Sequence, residues 1–243
     1  VAARPWPCSE NRDRCWPQRD WRRASVRTAA RSSSCAWERI MSDMDKDFWN
    51  DAYRQEPNQV MIPDLLLDQE LEGLSVGTAL DLGCGSGQNA LKLAERGWSV
   101  VGVDWAEHAV ELAARSAQEK SLDATFYVGD TTTWEPPVKF DLVISTYALP
   151  GGDDSKRTLQ TALKSLAQEG TLLVAEWDRS MSKVWGFAGD ELLSPEQIAE
   201  LLPGLEIEKA EVRHLKNVFS SADDRRAYKG TSANVAFVRA RKP

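Results

Sequence analysis

Three glycines alternate in Gly83-Cys84-Gly85-Ser86-Gly87. Two acids bracket them: Asp81, two residues before the first, and Asp104, nineteen residues past Gly85. Alternating glycines permit a tight turn and let a ligand approach the backbone closely. A helix that opens directly after such a turn offers unpaired N–H groups and the positive end of its dipole to an anionic group. A carboxylate at Asp104 can accept two hydrogen bonds from ribose hydroxyls, each charge-assisted bond contributing about 1.5–3 kcal/mol. Together these features specify a nucleoside cofactor, for which two classes compete. Gly85-Ser86-Gly87-Gln88-Asn89-Ala90 satisfies the dinucleotide fingerprint G-x-G-x-x-G/A. Asp81 tells against that reading, because a carboxylate there is badly placed beside a pyrophosphate and well placed beside a cation such as an α-ammonium.

These residues need a scaffold, and the flanking sequence supplies an alternating one. Short apolar, β-prone runs at 78–82, 98–103, 124–128, 140–145 and 171–176 are expected to be strands, with two more at 205–212 and 234–239. Helical patterns separate them: residues 45–55, a pattern on Ala90, Leu91, Leu93 and Ala94 that stops at Gly97, residues 108–118, and residues 154–168. Ser194-Pro195-Glu196-Gln197 combines a cap residue, proline at the first helical position and Gln three residues on, so a helix starts there. Strands alternating with helices imply right-handed crossovers and a parallel sheet covered on both faces. Ligands of such sheets bind beyond the carboxyl ends of the strands, where strand order reverses.

Composition narrows the partners. The chain has 243 residues, 42% of them hydrophobic, which excludes a wholly disordered protein. No apolar stretch approaches the ~18 residues of a membrane span. Residues 1–40 hold nine Arg against four acids, a formal +5, whereas residues 41–243 hold 21 basic and 33 acidic residues, a formal −12. That acidic balance argues against holding nucleic acid by phosphate neutralisation. The first forty residues also carry Cys8, Cys15 and Cys35, but their spacings fit no common zinc finger. We read residues 1–40 as a disordered or non-native leader and residues 41–243 as one domain. Deleting residues 1–40 is expected to leave melting temperature and cofactor affinity unchanged, as thermal melts and calorimetry would show.

The run Ala79-Leu80-Asp81-Leu82-Gly83-Cys84-Gly85-Ser86-Gly87 resembles the signature of class I S-adenosylmethionine-dependent methyltransferases. The resemblance continues through Val101-Gly102-Val103-Asp104 and Gly129-Asp130 to Phe140-Asp141-Leu142-Val143-Ile144-Ser145. Trp49-Asn50, Tyr53, Pro57-Asn58, Gly87-Gln88-Asn89-Ala90 and Glu95-Arg96-Gly97-Trp98 make it most similar to the small-molecule enzymes of the tellurite-resistance and thiopurine methyltransferase type. The resemblance implies a Rossmann-like, doubly wound α/β sheet of seven strands, mostly parallel with an antiparallel last strand. It implies that Asp81 and the backbone of Gly83, Cys84, Gly85 and Gly87 hold the methionine end of S-adenosyl-L-methionine. By the same likeness Asp104 takes the ribose with Trp105 beside the adenine, Asp130 and Thr131 read the adenine amino group, and Ser145 and Thr146 sit near the sulfonium. Asn89 and Trp49 are weaker correspondences.

The acceptor side is written less clearly. Tyr147, Trp177, Asp178, His214 and the segment 215–232 with Arg225, Arg226 and Tyr228 follow the later strands. Tyr147 and His214 are the candidate catalytic residues, while His108 reads as structural. Ser145-Thr146-Tyr147-Ala148 departs from the Asn/Asp-Pro-Pro-aromatic pattern of enzymes that methylate base amino groups. The expected enzyme therefore acts on a small-molecule methyl acceptor (S, Se/Te, O or N), with no nucleic-acid or membrane partner and no metal. It is expected to be cytoplasmic, a monomer or homodimer. A nicotinamide-dependent oxidoreductase on the same fold and a non-catalytic S-adenosylmethionine-binding module are the alternatives.

Overall fold

The computed structural model describes residues 46–55, 68–182, 192–216 and 232–243. Its helices are α1 (Lys46–Gln55), α2 (Gln88–Glu95), α3 (Glu107–Glu119), α4 (Gly152–Ser165) and α5 (Pro195–Glu200). Its strands are β1 (Thr78–Leu82), β2 (Ser99–Asp104), β3 (Ala124–Val128), β4 (Phe140–Thr146), β5 (Leu166–Trp177), β6 (Glu206–Lys216) and β7 (Ser232–Arg241). They form one seven-stranded sheet in the order β3-β2-β1-β4-β5-β7-β6. β1 to β5 run parallel, and β7 runs antiparallel to both β5 and β6. This is the expected doubly wound α/β sheet with an antiparallel last strand.

Side chains on the two faces of the sheet alternate along each strand. Ala79, Leu142, Ile144, Leu173 and Ala175 share a core with Ala90, Leu93 and Ala94 of α2. Leu80, Leu82, Val103, Val143, Leu172 and Val174 share the opposite core with Leu159 and Ala162 of α4 and Ile198 of α5. The expected capping box opens α5: Ser194 Oγ accepts from Gln197 N (3.3 Å), and Gln197 Oε1 accepts from Ser194 N (3.0 Å). Order reverses between β1 and β4, which are neighbours although β2 and β3 lie between them in the chain.

Three boundaries differ most from expectation. Helix α4 ends at Ser165, not 168, where the Ser165 hydroxyl bonds back to the Thr161 carbonyl. β5 begins at Leu166, with a register shift between Phe140↔Leu166 and Leu142↔Thr171 that absorbs Gly170. β6 was expected to stop at 212 but runs to Lys216, because the long β7 supplies partners as far as Lys216↔Ser232. His214 therefore lies inside an edge strand, not just beyond it. The leader, Arg225, Arg226 and Tyr228 lie outside the described residues.

Candidate functional site

The turn after β1 is built from its glycines. Gly83 and Gly85 have φ of 76° and 50°, in the left-handed region that glycine enters freely. A Cβ on Gly83 would collide with Cβ of Ala148, and one on Gly85 with the hydroxyl of Tyr53. Neighbouring segments therefore press onto the turn from two sides. Gly83 N and Cys84 N donate to the Val103 carbonyl (2.8 and 3.1 Å). Asp104, at the end of β2, completes the tie: its Oδ2 accepts from Gly85 N and its Oδ1 from Ala106 N, both at 2.8 Å. Burial raises the Asp104 carboxyl against the pull of those N–H groups.

Asp81 is more exceptional. It is 1% exposed, and among the described residues its oxygens make no regular hydrogen bond, the Ala90 N–H alone easing the charge of the carboxyl. Burial, reinforced by the charge of Asp104, pushes its carboxyl up to about 7. Cys84, in the same cramped space, has its thiol raised by burial and by both acids, which suits a small packing residue better than a nucleophile. Asn89 is buried, donates from Nδ2 to Thr146 Oγ1 (2.8 Å), and leaves its Oδ1 unpartnered. Three acceptor oxygens, two on Asp81 and one on Asn89, are thus buried without a regular hydrogen bond among the described residues. Buried acceptors without donors cost free energy, so this arrangement is suited to a cationic group with several N–H donors. An α-ammonium has that chemistry, and a pyrophosphate does not.

Not every expected residue joins this group. Asp81 pairs with Ile144 and Leu82 with Ser145, so Ser145 points into the core on the opposite face while Thr146 reaches Asn89. Thr131 is buried with its hydroxyl 3.1 Å from that of Thr158 on α4. Asp130 is exposed, and its Oδ1 accepts from both the backbone and the hydroxyl of Thr132. Trp105 is partly buried, directly after Asp104. His214 is exposed, three strand spacings or about 14 Å from β4, and its Nδ1 lies 2.9 Å from Asn234 Oδ1. It does not share a wall with Tyr147. His108 faces α1, donating from its backbone to Asn50 Oδ1 (3.1 Å).

Two residues outside the glycine turn and its flanking acids also shape the site. Tyr53 on α1 sets its hydroxyl on the glycine turn. Burial and the charges of Asp104, Cys84 and Asp81 raise its phenol, and the Ser86 N–H bonds to it. Glu176 is a buried acid at the end of β5, pushed up to about 7 by burial. Sequence offered one signal for Glu176, a charge directly ending the apolar run Thr171-Leu172-Leu173-Val174-Ala175. For Tyr53 it offered a place in a motif but no view of where α1 packs.

With this geometry in hand, comparison with known families is decisive: residues 75–224 match the family described as methyltransferase domain. The chain belongs to that methyltransferase family. A ubiquinone biosynthesis O-methyltransferase of Coxiella burnetii is 26% identical over 165 residues, covering 67% of this chain and 68% of that protein. A 2-heptyl-1-hydroxyquinolin-4(1H)-one methyltransferase of Mycobacteroides abscessus is 36% identical over 106 residues, covering 39% and 46%. In fold the chain is similar to TehB of Haemophilus influenzae (TM-score 0.61, 16% identity, 80% of this chain and 67% of that one). It is also similar to the N-methyltransferase NodS of Bradyrhizobium japonicum with S-adenosyl-L-homocysteine (TM-score 0.56, 20% identity, 74% and 84%). The methyltransferase's cofactor is S-adenosyl-L-methionine, and the oxidoreductase alternative is not favoured. None of its described helices is long and apolar enough to cross a membrane.

Proposed function

We propose that this methyltransferase binds S-adenosylmethionine through the turn after β1 and methylates a small-molecule nucleophile beyond β4 and β5. The observation that carries the reading is the buried, unpartnered carboxylate of Asp81. Asp81 and Asn89 Oδ1 would take the α-ammonium. The ligand's carboxylate would lie against the glycine turn, within reach of the Tyr53 hydroxyl. Asp104 would take the ribose, Trp105 would flank the adenine with Asp130 and Thr131 at its rim, and Thr146 would lie nearest the sulfur. Ser145 has a supporting place behind Thr146, and the domain runs over residues 41–243.

When bound, S-adenosylmethionine supplies a methyl group already activated on a sulfonium sulfur. The protein's share is then chiefly orientation, since holding nucleophile and methyl at near-attack distance supplies about 7–11 kcal/mol. A general base is needed only for an acceptor that arrives protonated. Tyr147 and Trp177, with ring centroids 4.3 Å apart, offer an aromatic surface on the acceptor side. That surface, with the O-methyltransferase and the hydroxyquinolinone methyltransferase among the relatives, supports trying hydroxyl groups on aromatic or heteroaromatic rings first as acceptors.

Calorimetry with S-adenosylhomocysteine and NADH tests the cofactor reading: the first should bind and the second should not. Methyl transfer to a panel of phenols, thiols, selenite, tellurite and amines tests turnover against mere binding. Asp104→Ala should weaken S-adenosylhomocysteine binding by about 10–100-fold, from loss of roughly 1.5–3 kcal/mol. An unchanged dissociation constant would mean that the ribose is held elsewhere.

A further inference from the structure

β4 and β5 stop pairing at the bond from Tyr147 N to the Ala175 carbonyl (2.8 Å). Beyond it the backbone turns sharply, and Tyr147 adopts φ 54°, a left-handed conformation unfavourable for a residue with a Cβ. The N–H groups past this point have no strand partner. Glu176 takes them instead: its Oε2 accepts from Leu149 N at 3.0 Å and its Oε1 from Trp177 N at 2.8 Å. The Ala148 N–H also bonds to it. One carboxylate thus joins the turn after β4 to the end of β5. The two residues it flanks, Tyr147 and Trp177, are the pair whose rings meet.

A purely structural strand end would not choose this residue. Leu172 and Val174 occupy the preceding positions on the same side of β5 and are fully buried hydrocarbon. Burying an acid there is unfavourable unless its bonds are needed. A second observation points toward a ligand. The Tyr147 hydroxyl is buried without a hydrogen-bond partner, although Tyr partners its hydroxyl in most buried settings. A strained backbone and an orphaned phenol persist only where surrounding structure enforces them, and such strain clusters at functional sites.

The geometry points to Glu176 as the positioning residue of the acceptor wall, holding the turn after β4 through backbone amides so that Tyr147 and Trp177 present one aromatic surface. Glu176 touches neither cofactor nor acceptor in this account. It rests on the proposed reading for the location of the acceptor, but its own test does not.

The full chain carrying Glu176→Ala and, separately, the isosteric Glu176→Gln is compared with wild type by amide exchange, near-ultraviolet circular dichroism and calorimetry with S-adenosylhomocysteine. Exchange at Ala148 and Leu149 should accelerate by about tenfold or more. The dichroic signal of the Tyr147–Trp177 pair, identified by its loss in Tyr147→Leu, should fall in both variants. S-adenosylhomocysteine affinity should stay within about threefold, because the β1 turn keeps its own ties to Val103 and Asp104. If Glu176→Ala fails to fold, Glu176→Gln carries the test, because its amide cannot accept both N–H groups. Wild-type exchange and dichroism in the variants would overturn the proposal. So would a parallel collapse of cofactor affinity, which would make Glu176 a general stability residue. Failure of the wild-type protein to bind S-adenosylhomocysteine would instead overturn the cofactor reading and leave the exchange and dichroism results to judge Glu176.

Discussion

Asp81→Asn should make the cofactor-free protein more stable above pH 7 while weakening S-adenosylhomocysteine binding by about a hundredfold or more. The two effects share one origin. Asp81 is buried without partners beside Asp104, and its carboxyl is raised to about 7. An acid whose folded pKa lies above its unfolded value keeps its proton longer in the folded state. Its contribution to stability is therefore lost as pH rises from about 4 to 7, and the deficit persists above. At full ionisation that deficit is on the order of 4 kcal/mol. A buried Asn also needs partners, so the net gain is nearer 1–2 kcal/mol, or about 2–8 °C in melting temperature at pH 8.

Binding depends on pH in the opposite sense. An ammonium beside Asp81 requires the carboxylate, so wild-type affinity should fall about tenfold per pH unit below 7, with close to one proton released on binding near pH 6. Asp81→Asn should abolish that proton release. Calorimetry in buffers of different ionisation enthalpy measures it. A wild-type affinity that is flat between pH 8 and 6 would place the ammonium away from Asp81.

The contrast between Asp81 and Glu176 shows what was legible in sequence. Asp81, the three glycines and Asp104 lie in a strand–turn–helix–strand stretch whose geometry is local, so type and spacing carried the argument. The strands that hold them were legible for the same reason: their apolar runs are short and bounded by glycines or helix signals. What depends on partners distant in sequence was not legible. Ser145 and Thr146 are adjacent, and only the pairing of β4 with β1 decides which reaches Asn89. His214 belongs to β6 because β7, on the far side of 217–231, supplies its ladder. Tyr53 meets the glycine turn through packing of α1 that no motif encodes. Glu176 gave a signal, a charge in an apolar strand, but its meaning lay in backbone amides exposed where β4 and β5 part.

Gly83→Ala should be the most damaging single change in the turn, and its cause is separable by a second substitution. At φ 76° an L residue is strained by roughly 1–2 kcal/mol. The added methyl would also overlap Cβ of Ala148 in the segment tied to Glu176, and a forced shift of this kind typically costs about 1–3 kcal/mol. Together these predict about 2–5 kcal/mol of lost stability and at least a tenfold loss of S-adenosylhomocysteine affinity. Ala148→Gly removes the collision but not the backbone strain. The double variant should therefore recover the steric part and retain the rest, giving a coupling of about 1 kcal/mol or more in a double-mutant cycle of denaturant midpoints. Additivity would show that Ala148 does not bear on the turn. Coupling would show that the cofactor turn after β1 and the acceptor wall after β4 are one packed unit, joined where the strand order reverses. That packing helps to hold donor and acceptor at a fixed separation, while the turn's own ties to Val103 and Asp104 keep it in place when the Glu176 bonds are lost.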